Sequence, residues 1–124
     1  MSTILIVEDN DKNMKLARDV LQSRGYATLE AVTGEEGVRL AIDRKPDLVL
    51  MDIQLPGING IEALRQVRAE AACAHIPVVA FTASVTPTDR SQISAAGFDG
   101  FLSKPINLKE FLETVKRLLE AGRP

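Results

Sequence analysis

The sequence contains few cysteine, histidine and aromatic residues. Its 124 residues include one cysteine, Cys73, and one histidine, His75, and aromatic residues make up 4% of the chain. A lone cysteine cannot form a disulfide within the chain, and it excludes metal sites that need several cysteines. We therefore expect a reducing, cytoplasmic setting, in which Cys73 is an incidental residue and His75 has a structural or surface role.

The sequence also lacks long apolar runs and an excess of one charge. No apolar run approaches the ~18 residues that a membrane span requires, and the N-terminal residues lack the basic and apolar stretches of a signal peptide. The 15 basic and 17 acidic residues leave a net charge of -2, which argues against nucleic acid or an anionic membrane as a partner. The length suits one domain, so we expect residues 1–124 to form it without a separate output domain.

Short apolar runs alternate with helical patterns along the chain. Continuous apolar runs at 4–7, 48–51 and 78–81 are typical of strands that are buried on both faces of a parallel sheet. The more mixed segments 27–32 and 98–102 indicate weaker strands, which we place at the edges of the sheet.

Helical patterns follow each of these strands. In the last helix, the apolar residues fall on one stripe, which consists of Leu108, Phe111, Leu112, Val115, Leu118 and Leu119. Four helices have a capping residue followed three positions later by an acidic one: Thr33 with Glu36, Asn59 with Glu62, Thr86 with Asp89, and Asn107 with Glu110. Five alternating strand–helix pairs predict an α/β fold with a parallel central sheet and helices on both faces. Right-handed crossovers limit the possible topologies, and the (βα)5 flavodoxin-like doubly wound sheet with strand order 2-1-3-4-5 is one common solution.

Acidic residues stand at the ends of the first and third strands, which are neighbours if the sheet has this order. Glu8 and Asp9 follow the first strand, and Asp52 ends the third. Ligands of such folds bind beyond the carboxyl ends of the strands, where these carboxylates would meet and repel one another. A hard divalent cation would neutralise them, and Mg²⁺ suits a site of one or two carboxylates, waters and a phosphate.

A hydroxyl and an ammonium group are predicted at the same edge. Thr82 ends the fourth strand and Lys104 follows the fifth. Each residue alone has an ordinary interpretation: Asp52 as a turn former, Lys104 as a solvated loop residue and Thr82 as a strand residue. Their placement at the ends of different strands favours phosphoryl chemistry, in which the cations neutralise phosphoryl oxygens and a carboxylate is the nucleophile.

These motifs resemble the receiver domains of response regulators over most of the chain. The resemblance rests on Ile6-Val7-Glu8-Asp9-Asn10, Leu50-Met51-Asp52-Ile53-Gln54-Leu55-Pro56, Thr82-Ala83 and Lys104-Pro105, which occur in the order and spacing of that family. Within the family, Asn13-Met14-Lys15 and His75-Ile76-Pro77-Val78-Val79 are similar to the single-domain DivK-type regulators of bacterial cell-cycle signalling.

The resemblance implies roles at the phosphorylation site. Asp52 would be the phosphoacceptor. A Mg²⁺ or Mn²⁺ ion would be held by Glu8, Asp9, Asp52 and the backbone carbonyl of Gln54. Lys104 would pair with the phosphoryl group, and its peptide bond to the following proline is expected to be cis.

The resemblance also implies a switch and a set of protein partners. Thr82 and Phe101 would report phosphorylation, while Gln54 and Ser84 occupy the positions that tune dephosphorylation. A sensor histidine kinase or histidine phosphotransfer protein would phosphorylate Asp52 from a phosphohistidine. A downstream protein effector would then bind the surface of helix 4, strand 5 and helix 5. The protein would not be an enzyme beyond self-phosphorylation and slow autodephosphorylation.

Two other functions share part of this pattern. A phosphorelay intermediate, which passes its phosphoryl group to a histidine phosphotransfer protein, has the same motifs, so a transfer assay is needed to separate it from a switch. A phosphatase of the haloacid dehalogenase type also uses an aspartate nucleophile. It requires a second acid two residues later, where this chain has Gln54.

Overall fold

Five parallel strands form one sheet in the order β2-β1-β3-β4-β5, as the sequence predicted. The protein is described from a computed structural model that covers residues 2–83 and 87–122. The strands are β1 (Thr3–Val7), β2 (Ala27–Ala31), β3 (Leu48–Asp52), β4 (Val78–Thr82) and β5 (Gly100–Ser103). The two mixed segments lie at the edges, which confirms their predicted place in the sheet.

A helix follows each strand. The helices are α1 (Asp11–Ser23), α2 (Gly34–Arg44), α3 (Gly60–Ala69), α4 (Pro87–Ala96) and α5 (Leu108–Ala121), and a short 3-10 helix spans Ala71–Cys73. The side chains of Thr33, Asn59 and Asn107 each accept a hydrogen bond from the amide three residues later, so three of the predicted caps are confirmed. The cap predicted at Thr86 lies outside the described residues.

The core consists of two apolar layers, one on each face of the sheet. Alternate residues of β1 belong to different layers, because successive strand side chains point to opposite faces. Ile4 and Ile6 pack in the layer that α1 and α5 cover, whereas Leu5 and Val7 pack in the layer that α2 and α3 cover. Burial on both faces is therefore confirmed for this strand.

The stripe predicted on the last helix reaches the core only in part. Phe111, Val115 and Leu118 are buried, but Leu108 is 48% exposed. Leu108 is the first residue of α5, and the contact of this helix with the core begins at Phe111. Leu108 therefore belongs to the apolar stripe but lies beyond the part of it that the core covers.

Gly60 allows α3 to begin directly against the end of β3. A Cβ atom at this position would overlap the carbonyl oxygen of Asp52, so any larger residue would push the helix away. The Gly60 amide donates to the carbonyl of Ile53 at 2.9 Å. The loop between β3 and α3 is thereby held close to Asp52.

Among the described residues, no helix combines the length and the apolar character needed to cross a membrane.

Candidate functional site

The registers of neighbouring strands bring the predicted site residues to one edge of the sheet. Val7 of β1 pairs with Met51 of β3. Glu8, which follows β1, and Asp52, the last residue of β3, therefore lie side by side at this edge. At the other side, Thr82 pairs with Ser103, which places Lys104 just beyond β5. The Lys104–Pro105 peptide bond is cis, as expected.

Three carboxylates converge at this edge. Glu8, Asp9 and Asp52 each offer an oxygen, and these three oxygens lie within 4.8 Å of one another. Glu8 and Asp52 are buried, with 1% and 3% of their surface exposed, whereas Asp9 is exposed. The predicted convergence is confirmed, and the set combines two buried acids with one that solvent can reach.

The ammonium group of Lys104 lies between the two buried acids. Its Nζ is 2.9 Å from Oε2 of Glu8 and 2.9 Å from Oδ2 of Asp52, to which it donates a hydrogen bond. Burial lowers the pKa of Lys104, but the hydrogen bond to Asp52 and the charges of Asp52 and Glu8 outweigh burial and raise that pKa above its usual value. Lys104 therefore carries its charge at neutral pH.

The two oxygens of the Glu8 carboxylate have different contacts. Oε1 accepts the amide of Asn10 at 3.0 Å, whereas the contact of Oε2 with Lys104 is an ion pair outside hydrogen-bond geometry. Burial raises the pKa of Glu8, and the charge of Asp52 adds to this rise, while Lys104 and the Asn10 amide oppose it. A buried carboxylate oxygen without a hydrogen-bond donor beside two further acids suits a hard cation such as Mg²⁺.

The second oxygen of Asp52 is tied to the loop that follows β3. Oδ1 accepts the backbone amide of Gln54 at 3.1 Å. Together with the Lys104 contact on Oδ2, this bond orients both oxygens of the carboxylate. Gln54 is exposed and lies two residues after Asp52. Ser84 is outside the described residues.

The two predicted switch residues occupy different environments. Thr82 is 1% exposed, and its backbone carbonyl accepts the amide of Lys104 at 2.9 Å. Phe101 is half-buried, and the guanidinium carbon of Arg90 lies 5.0 Å from the centroid of its ring. This distance is typical of a cation–π contact, so α4 and β5 are joined at Phe101.

Sequence reasoning missed one contact beside a switch residue and one at the opposite edge of the sheet. Arg90 carries no pattern that links it to Phe101. Arg68 forms a buried ion pair with Asp99 at 2.8 Å and donates to the carbonyl of Ile76 at 2.7 Å. Both pairs join residues of different elements, so no local pattern indicated them. The cap of α1 was also missed, although asparagine is a common capping residue. Asn10 caps α1, since its side chain accepts the amides of Lys12 and Asn13.

Comparisons with known proteins agree with this geometry. The response regulator receiver domain family matches residues 4–116. The polar-differentiation response regulator DivK of Brucella anthropi is 42% identical over 117 residues, which covers 94% of this chain and 95% of that protein.

Two solved structures have nearly the same fold. The receiver domain of a sensor histidine kinase from Pseudomonas aeruginosa, solved with a magnesium ion coordinated in its active-site cleft, has a TM-score of 0.91. It is 32% identical and covers 97% of this chain and 98% of its own. A chemotaxis response regulator of Vibrio cholerae has a TM-score of 0.89 at 27% identity, with coverage of 95% and 98%.

Proposed function

Because the chain belongs to the receiver domain family of response regulators, we propose that Asp52 accepts a phosphoryl group from a phosphohistidine. The family acts in two-component signalling, and its members are signalling proteins rather than classical enzymes. The donor in this proposal is a sensor histidine kinase or a histidine phosphotransfer protein. The match to this family leaves the haloacid dehalogenase alternative without support.

The observation that carries this proposal is the contact between Lys104 and Asp52. In the transfer, an oxygen of Asp52 forms a bond to phosphorus, the P–N bond of the donor breaks, and its electron pair stays on the imidazole nitrogen. The Lys104 ammonium, 2.9 Å from Oδ2, is placed to neutralise charge on the phosphoryl oxygens. Thr82, at the end of the neighbouring strand, would donate its hydroxyl to one of these oxygens.

The same proposal includes a Mg²⁺ or Mn²⁺ ion. Glu8, Asp9 and Asp52 would hold it together with the backbone carbonyl of Gln54. When bound, such an ion neutralises phosphoryl oxygens. The buried oxygen of Glu8 that lacks a hydrogen-bond donor supports this assignment, as does the closeness of the three carboxylates.

Phosphorylation would change a protein-binding surface formed by α4, β5 and α5. The added charge at Asp52 would draw the Thr82 hydroxyl inward, and Phe101 would follow into the space that is vacated. The contact of Arg90 with Phe101 supports a link between this ring and α4. A downstream effector protein would recognise the changed surface, and Gln54 with Ser84 would tune how long it persists.

The proposal is tested by labelling with acetyl phosphate in the presence of Mg²⁺, read by intact-protein mass spectrometry. We expect wild type to gain one phosphoryl group and Asp52→Asn to gain none. Asp47→Asn is the matched control, since Asp47 precedes the same strand and its side chain accepts the amide of Thr3 at the opposite edge. If Asp52→Asn were labelled as fully as wild type, the acceptor would be another residue.

A further inference from the structure

A groove runs between α1 and α5, away from the two proposed switch residues, Thr82 and Phe101. Its volume is about 700 Å³, and its lining comes from the C-terminal end of α1, from Tyr26 and from the first turns of α5. Thr82, Phe101 and α4 contribute nothing to this lining. The groove therefore lies apart from the phosphorylation site and from the two switch residues, although α5 also belongs to the proposed output surface.

Part of the groove lining is apolar. Leu108 and Leu112 line it from α5, Val20 lines it from α1, and Tyr26 lines it from the segment before β2. Leu108 is 48% exposed, while the other three are half-buried. Leu108 and Leu112 are four residues apart and so stand one above the other on the helix, where they form an apolar ridge that is partly open to solvent.

The charged part of the groove lining is mainly basic. Arg24, Lys109 and Lys116 line it, and Glu113 is the one acid among the lining residues. None of these three cations has an ion-pair partner among the described residues. The whole chain carries a net charge of -2, so the positive charge is local to this face. Unpaired cations beside apolar side chains favour a binding partner that has carboxylates beside an apolar stripe.

The walls of the groove restrict the form of that binding partner. Most of the lining comes from two helices, whose backbone groups are bonded within each helix, so an extended strand would find no edge to pair with. Side chains must then make the contacts. From Leu108 to Lys116 the groove extends over eight residue steps, or about 12 Å, which matches roughly two turns of a helix.

We propose that this groove binds an acidic amphipathic helix of a partner protein. The apolar stripe of that helix lies on the ridge of Leu108 and Leu112, and its carboxylates pair with Arg24, Lys109 and Lys116. Since no switch residue lines the groove, binding is independent of phosphorylation at Asp52. The partner would stay bound while Thr82 and Phe101 change state.

The probe is a lactam-stapled helical peptide of about 14 residues, or roughly 21 Å, with leucines on one stripe and glutamates beside it. Its binding to the full chain is measured by fluorescence anisotropy, and the contact is mapped by amide chemical shifts. The same peptide with lysine in place of glutamate is the charge control. Measurements are repeated after treatment with acetyl phosphate and Mg²⁺.

Variants of matched exposure test the residues of the groove. Leu108→Ser is compared with Leu16→Ser, since Leu16 is 41% exposed on α1 outside the groove lining. Lys116→Glu is compared with Lys12→Glu, which also lies outside it. Amide spectra of each variant show that it is folded.

We expect the acidic peptide to bind saturably, to shift amides of α1 and α5, and to bind equally well after phosphorylation. Leu108→Ser and Lys116→Glu should each weaken binding at least about fivefold, while Leu16→Ser and Lys12→Glu stay within about twofold of wild type. Salt should weaken binding as well.

Several results would overturn the proposal. One is the absence of binding at about 1 mM peptide, and another is equal binding of the lysine peptide. The others are amide chemical-shift changes confined to α4 and β5, and displacement of the peptide by phosphatidylserine vesicles that bind the same residues. A change in affinity after phosphorylation would overturn its independence from the switch. Labelling of Asp52 is measured separately, so failure here leaves the proposed function intact.

Discussion

At the scale of the single residue, the buried carboxylate of Glu8 should destabilise the fold when no cation is bound. Its carboxylate is 1% exposed, and burial raises its pKa because the charged form loses hydration. A neutral isostere avoids that loss. We therefore predict that Glu8→Gln raises the free energy of unfolding by about 1 kcal/mol without divalent cations. Urea denaturation in EDTA measures this change.

The same variant should lose most of its stabilisation by Mg²⁺, because one of the proposed metal ligands is then neutral. Glu30→Gln is the control, since Glu30 is exposed and pairs with Arg18 on the surface. It should leave both the urea midpoint and the response to Mg²⁺ unchanged. A Glu8→Gln protein less stable than wild type would mean that the ion pair with Lys104 outweighs the loss of hydration.

At the scale of the element, a buried ion pair joins α3 to the segments around β4 and β5. Arg68 and Asp99 have side chains that are 17% and 4% exposed, and Asp99 also accepts the amide of Val78. Arg68→Met would leave the Asp99 carboxylate buried without its cation. We predict a loss of about 3 kcal/mol in the free energy of unfolding, measured by urea denaturation.

The control for this prediction lies one turn earlier on the same helix. Arg65 pairs with Glu62, but its side chain is 78% exposed. Arg65→Met should therefore leave the urea midpoint close to that of wild type. If Arg65→Met and Arg68→Met had the same midpoint, the buried pair would not stabilise the fold.

The helix α4 should be the most mobile of the five. Among its described side chains Ile93 is buried, whereas α5 buries Phe111, Val115 and Leu118. Fewer buried apolar contacts lower the free energy of local opening. We predict that backbone amides of α4 exchange with deuterium faster than those of α5, as measured by NMR. Equal protection of both helices would contradict this prediction.

At the scale of the whole molecule, binding of Mg²⁺ and the stability of the fold should be linked. A ligand that binds only the folded state stabilises it by about 2.7 kcal/mol at a concentration of 100 Kd. Thermal melts with increasing MgCl2 should therefore show a rising Tm, because the cation relieves repulsion among Glu8, Asp9 and Asp52. The Asp52→Asn protein should respond less. A Tm that stays constant at millimolar Mg²⁺ would argue against a preformed metal site.

The order of the strands and the location of the site could be predicted from the sequence. Continuous apolar runs indicated the buried strands, and the helical patterns between them required parallel connections. The carboxyl ends of parallel strands meet at one edge, so Glu8, Asp9 and Asp52 could be placed together before any contact was known. Local patterns and the right-handed crossover rule left a few topologies, of which the order 2-1-3-4-5 is a common one.

The contacts between side chains of distant elements were decided by the tertiary structure alone. No sequence pattern indicates that Lys104 lies 2.9 Å from both Glu8 and Asp52, or that Arg68 pairs with Asp99. Such distances depend on how the helices and loops pack, which spacing along the chain does not specify. The exposed Leu108 shows the same limit, because an apolar stripe predicts which face of a helix is buried but not where along its length the core begins.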